Sequence, residues 1–293
     1  MINMIDLPRH PPSMLPVIRT VPEHAATGEL KRRYDAVKSA FDVPWMGVVA
    51  MAHTQYPRFF DALWEGLEPI AGTRAFQDAC RAMRAATEAG VERSLGISPL
   101  AHRLQDLGYD PREIGEIRTI IEVFSHGNYP YILLATVSRY LLSGGDLSEE
   151  PQVFETSPRS PHIFHQPILM EPHHADEHTR GIFADIQATL ALPILNTDYR
   201  ALARWPSYFH LAWAELRPLI RTPSHAALSQ QLHEQAIAVL RTLPNPARLK
   251  GDMVRAAAAD DVSLAQVRAM TELFQWLLPE LAVNVAVFRA QVQ

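Results

Sequence analysis

Hydrophobic residues recur at spacings of three and four along most of the chain, and convincing alternation is absent. Ile114, Ile117, Ile120, Ile121 and Phe124 form one such series, and Leu264, Val267, Met270 and Phe274 form another, so each set lines one face of a helix. Asp110-Pro111-Arg112-Glu113 combines a cap, a first-turn proline and an acid at the third helical position, which predicts a helix start. Ser98-Pro99 offers a second start, and Gly108 is placed to end the helix between them. Ser263 and Gln266 have capping spacing, and the alanine-rich stretch Arg255 to Ala259 favours helix. After Phe124, the run Ser125-His126-Gly127-Asn128-Tyr129-Pro130 reads as a helix C-terminus. The predicted fold class is all-α.

The same pattern occurs twice. Shifted by 149 residues, Tyr56-Pro57-Arg58-Phe59-Phe60 lies on Trp205-Pro206-Ser207-Tyr208-Phe209. Trp64 then lies on Trp213, Leu67 on Leu216, Pro69 on Pro218, Thr73 on Thr222 and Pro44 on Pro193. Further on the offset is 150, with Arg118 on Arg268, Val123 on Leu273 and Phe124 on Phe274. These matches predict an N-terminal segment (1–26), a first helical repeat (27–143), a proline-rich connector (144–177) and a second repeat (178–293). Two such repeats most simply form an intramolecular pseudo-dimer with one cleft between unlike walls. The two-fold interface can be satisfied internally or extended by further assembly, so a homo-oligomer stays open.

Composition narrows the function classes. The 293 residues are 47% hydrophobic, enough for a substantial core, and the formal net charge of -5 comes without a basic cluster, which argues against nucleic acid. Cys80 is the single cysteine, so no internal disulfide, redox pair or zinc ribbon can form, and a reducing cytoplasm fits. Prolines 8, 11, 12 and 16 break any signal-peptide core, and no run reaches the length of a membrane span. Gly-rich phosphate loops and a Gly-x-Ser-x-Gly elbow are lacking. His173, His174 and His178 lack a third-ligand pattern and read as solvated surface, not as a metal site.

The two copies differ where chemistry could sit. Gly47-Val48-Val49 of the first falls on Asn196-Thr197-Asp198 of the second. Asp198 is either a helix cap or a carboxylate whose basicity is raised beside the apolar Leu192 to Leu195 run. The segment holding Asn128 is polar in the first copy and apolar in the second, so Asn128 is either part of a helix terminus or a partner for Asp198 across the cleft. Trp45, replaced by Ile194, is either a ligand-facing wall or asymmetric packing. The matched Trp64, Trp213, Phe60 and Phe209 read as core.

These residues resemble the all-helical, group I 2-haloacid dehalogenases. The likeness rests on Val43-Pro44-Trp45, Ser94-Leu95 through Gly108-Tyr109, Phe124 to Tyr131 with its Gly-Asn, and Thr197-Asp198-Tyr199 followed by Ala201-Leu202-Ala203-Arg204-Trp205-Pro206. The resemblance implies hydrolysis of short 2-haloalkanoic acids to 2-hydroxy acids with inversion, without metal or other cofactor. It makes Asp198 the base and Asn128 the residue that positions the attacking water. It implies a substrate pocket including Trp45, Val48, Val49, Asn196, Thr197 and Tyr199, with backbone amides near Thr197 to Tyr199 as carboxylate donors. Asparagine at 196, two before the aspartate, is similar to the D-selective members. The alternatives are an aspartyl-ester route through Asp198, or a non-catalytic helical protein that binds small carboxylates.

Overall fold

Each segment of three-to-four periodicity is helical in the computed structural model, which describes residues 5–148, 154–156 and 166–293. The first half contributes α1 (Gly28–Phe41), α2 (Val48–His53), α3 (Pro57–Ala71), α4 (Arg74–Ser94), α5 (Ala101–Asp106) and α6 (Pro111–Leu142). The second contributes α7 (Glu177–Leu190), α8 (Thr197–Leu202), α9 (Pro206–Ile220), α10 (Pro223–Val239), α11 (Gly251–Asp261) and α12 (Leu264–Val292). Among the described residues there is no strand beyond an isolated bridge between Thr73 and Thr156, and no helix is long and apolar enough to cross a membrane. Residues 149–153 and 157–165 of the connector lie outside the described residues.

Sequence duplication reappears as duplicated geometry. Helices begin at 28 and 177, at 48 and 197, at 57 and 206, and at 74 and 223. Both α1 and α7 end in a left-handed residue, Asp42 at φ 54° and Ala191 at φ 51°, an unusual conformation for side chains of this kind. Thr73 and Thr222 both cap with their hydroxyls, accepting from Phe76 and His225 N–H groups.

Long helices α6 and α12 make the most extensive contact between elements and form the central layer. Their arginines act reciprocally. Arg268 of α12 donates to the Leu142 carbonyl at the end of α6, with Nε at 3.0 Å, while Arg118 of α6 donates to the Val292 carbonyl at the end of α12. Each thereby satisfies a carbonyl that a helix end leaves without an internal partner. Arg289 pairs with Glu122 at 2.6 Å, and Arg139 approaches Glu272 to 4.0 Å in the matching place.

Two expected boundaries differ. The helix through Phe124 does not end before Pro130, because α6 continues to Leu142 and α12 likewise runs through Pro279. Proline costs a helix one hydrogen bond and a steric adjustment. Here the flanking segments are buried on nearly every face, from Ile132 to Leu142 in α6, so apolar burial outweighs that cost. Ser98 is not a cap either: α5 starts at Ala101, and the Leu100 N–H is taken by the Gln291 carbonyl at 2.7 Å. The Asp110 capping box, the Ser263 cap and the turn at Gly108, at φ 93°, form as expected.

Candidate active site

Four elements converge on one small space. The loop Val43 to Gly47 leads into α2, the loop Leu192 to Asn196 leads into α8, and the middles of α6 and α12 close the other sides. The cavity is about 20 Å³, room for roughly one water molecule. Gly47, Val48 and Val49 line one wall, with Asn196, Thr197 and Asp198 at the matching positions of the other. From α6 come Asn128 and Tyr131, and from α12 come Leu278 and Leu281 with Phe274. The cavity is thus lined from both halves of the chain, with Asn128 and Tyr131 from the first and Asn196, Thr197 and Asp198 from the second.

Asp198 is no cap. The N-cap is Asn196, by backbone geometry and without a side-chain hydrogen bond, and Asp198 follows in the first turn. Asp198 Oδ1 accepts from Asn128 Nδ2 at 3.0 Å, and both side chains are buried. Burial pushes the Asp198 carboxyl up to about 6, while the bond from Asn128 and its own backbone N–H pull the other way. Desolvation is the largest of these effects. The result is a carboxyl that exchanges its proton near neutral pH.

Comparison with known proteins gives this geometry a family. The chain is 99% identical to the (R)-2-haloacid dehalogenase of Rhizobium sp. (strain NHG3) over 251 residues, 86% of this chain and 98% of that protein. It is 37% identical to the (R)-2-haloacid dehalogenase of Pseudomonas putida over 293 residues, covering 98% and 96% of the two chains. The fold superposes on a complex of a D-2-haloacid dehalogenase mutant with D-2-CPA at a TM-score of 0.90 and 36% identity, covering 99% of this chain and all of that one. The chain belongs to the 2-haloacid dehalogenases. No protein-family model matches it. It is a hydrolase acting on carbon–halide bonds.

In this dehalogenase Trp45 forms the apolar wall. Its ring stands edge-on to Phe124 at a centroid distance of 4.9 Å and to Tyr131 at 5.7 Å. Gly127 makes that approach possible, since a Cβ there would lie 2.1 Å from Trp45 Cη2. The Gly-Asn pair thus serves close packing and side-chain presentation within a continuous helix, not a helix end. Tyr131 fixes the loop that carries the indole: its hydroxyl donates to the Trp45 carbonyl and accepts from the Gly47 N–H, both at 2.8 Å. Glu23 holds the same loop from outside by accepting from the Met46 N–H at 3.0 Å.

Of the residues singled out in the sequence, Trp45, Val48, Val49, Asn128, Asn196, Thr197 and Asp198 line this cavity. Tyr199 does not; its hydroxyl accepts from Asn284 on the far side of α8 and lines a neighbouring cavity. Tyr131, Phe274, Leu278 and Leu281 were missed. The offset of 150 that sets Asn128 on Leu278 and Tyr131 on Leu281 contained that signal, because the counterpart of a site residue across a two-fold faces the same space. Trp64, Trp213, Phe60 and Phe209 are core, as their conservation between repeats suggested. His178 pairs with His210 at 2.8 Å, and the His173 and His174 rings lie 4.0 Å apart, tilted by 56°. No group of three or more metal-ligating side chains occurs among the described residues.

Proposed function

We propose that the chain hydrolyses short D-2-haloalkanoic acids to L-2-hydroxy acids, by direct attack of a water molecule that Asp198 deprotonates. Asn128 holds the carboxylate and water in register. As the oxygen attacks C2 opposite the halogen, the O–C bond forms, the C–X bond breaks and its electron pair leaves with the halide, so configuration inverts. The water's proton passes to Asp198. Trp45, Leu278 and Leu281 exclude competing solvent, and the first-turn amides of α2 and α8, which have no intrahelical acceptors, are donors for the substrate carboxylate. Asn196 restricts which substituent on C2 can sit beside α8. The names of the relatives, which specify (R)-2-haloacids and inversion, support the substrate class and stereochemistry.

The observation that carries this reading is the buried Asp198–Asn128 pair in a cavity of one-water size. The ester route is less well supported. Hydrolysis of an aspartyl ester needs a second base to activate water, and no other acid or histidine lines the cavity. Two repeats, 27–143 and 178–293, joined by 144–177 in an intramolecular pseudo-dimer, account for the paired helix starts and reciprocal arginines. A reducing, cytoplasmic setting suits Cys80, whose burial pushes its thiol up and leaves it inert. The test is halide release from each enantiomer of 2-chloropropionate by the wild type and Asp198→Asn. Release from the D form, reduced at least a hundredfold in the variant, is expected; no release from any 2-haloacid would favour a binding protein.

A further inference from the structure

A second cavity, of about 10 Å³, lies against the first and shares two wall residues with it, Asn196 and Leu281. Its apolar lining is Leu190 at the end of α7, Leu192 just past the left-handed Ala191, and Leu277 and Leu281 one turn apart on α12. Its polar groups are largely engaged. Asn284 donates to Tyr199 at 3.0 Å and its Oδ1 meets His225 Nε2 at 2.7 Å, while Glu280 is paired with Arg9 at 3.3 Å. Asn196 differs: it is buried, and its Oδ1 has no hydrogen-bond partner. Nothing bonded to that oxygen fixes the partition in place.

The catalytic cavity offers about 20 Å³, room for about one water, so a longer 2-haloacid needs space beyond it. The partition formed by Asn196 and Leu281 is the wall with space behind it. That space suits an alkyl group better than the two charged parts of the substrate. Its polar side chains are already paired with one another or with neighbours, leaving no free cation for a carboxylate or halide, whereas four leucines receive methylenes.

We propose that the cavity behind Asn196 is the subsite for the alkyl substituent on C2 of longer 2-haloalkanoic acids, with Leu277 and Leu192 setting the chain length accepted. This rests on the dehalogenase reading above. The leucines touch only the growing end of the substrate, so they determine specificity without taking part in the chemistry. A methylene that meets a filled pocket instead of an open one changes discrimination by roughly 10- to 200-fold.

The test is kcat/KM for the D forms of 2-chloropropionate, 2-chlorobutanoate and 2-chlorohexanoate with wild type, Leu277→Ala and Leu192→Ala. In both variants the hexanoate-to-propionate ratio is expected to rise about tenfold or more, with 2-chloropropionate turnover retained. Leu192 is only half-buried, so its variant keeps the test open if Leu277→Ala does not fold. An unchanged ratio in a folded variant that still consumes 2-chloropropionate overturns the subsite. Failure of the wild type on 2-chloropropionate itself overturns the dehalogenase reading instead.

Discussion

Asn128 Nδ2 stands 3.0 Å from Asp198 Oδ1, joining α6 of the first half to α8 of the second through a buried hydrogen bond. At the matching positions the chain has Leu278 and Val49, whose apolar side chains also line the cavity. One functional pair therefore has an apolar counterpart in the same space, and the difference between them is what makes the site chemical.

A buried carboxyl titrating at about 6 sets the pH dependence. Only the carboxylate can take the water's proton, so kcat/KM is expected to rise with pH through about 6 and then level. The Asn128 bond stabilises the charged form, so Asn128→Ala should move this limb to higher pH as well as slowing turnover. A pH–rate profile of each protein checks it; an unmoved limb in the variant contradicts the assignment.

The same shift makes Asp198 costly for stability. Its folded value, about 6, lies above the ordinary 3.8, so its favourable contribution is complete below 3.8 and is lost as pH rises through 6. Above that, the ionised group costs about 3 kcal/mol, from roughly two pH units at 1.36 kcal/mol each. Asp198→Asn keeps an acceptor for Asn128 and carries no charge. Its melting temperature is expected to exceed wild type at pH 8 and to lose that advantage at pH 4.

Asn196→Ala is expected to narrow the ratio of D to L rates, measured by chiral analysis of 2-chloropropionate turnover. It also removes a buried oxygen without a partner, a group that typically costs about 1–3 kcal/mol. A variant that is at least as stable and less stereoselective fits both roles. Undiminished D preference would dismiss Asn196 as the gate.

Gly127→Ala brings a methyl group to 2.1 Å from the Trp45 ring, so the indole must move. We expect kcat/KM to fall at least tenfold, within the order of magnitude that misplaced active-site groups cost, together with a change in tryptophan fluorescence. By contrast, Arg268→Met removes a charged donor from the Leu142 carbonyl far from the cavity. It should lower unfolding free energy by about 1.5–3 kcal/mol in denaturant titrations and leave kcat/KM unchanged.

Much of this was legible in the sequence because duplication supplies an internal control. The matches of Pro57 with Pro206, Thr73 with Thr222 and Trp64 with Trp213 could be read by comparing one half with the other, and the structure makes the first pair helix starts and the second helix caps. The same comparison exposed Asp198 and Asn128 as departures. Local signals failed at Pro130 and Ser98, where tertiary burial and a long-range hydrogen bond from Leu100 to Gln291 override them. Tyr131 was hidden for a different reason: its role depends on reaching Trp45 and Gly47 across 86 and 84 residues of chain, which no local spacing encodes. Tyr199 was drawn into the pocket by adjacency to Asp198, but neighbours in a helical turn point to different sides.

The central claim is that Asp198 activates water and does not itself attack carbon. Single-turnover reaction of excess enzyme with D-2-chloropropionate in oxygen-18 water tests it most directly, by mass spectrometry of the lactate and of the protein. Direct attack places the label in the lactate hydroxyl and leaves the protein unlabelled. Unlabelled lactate with oxygen-18 in the Asp198 carboxylate would contradict the account.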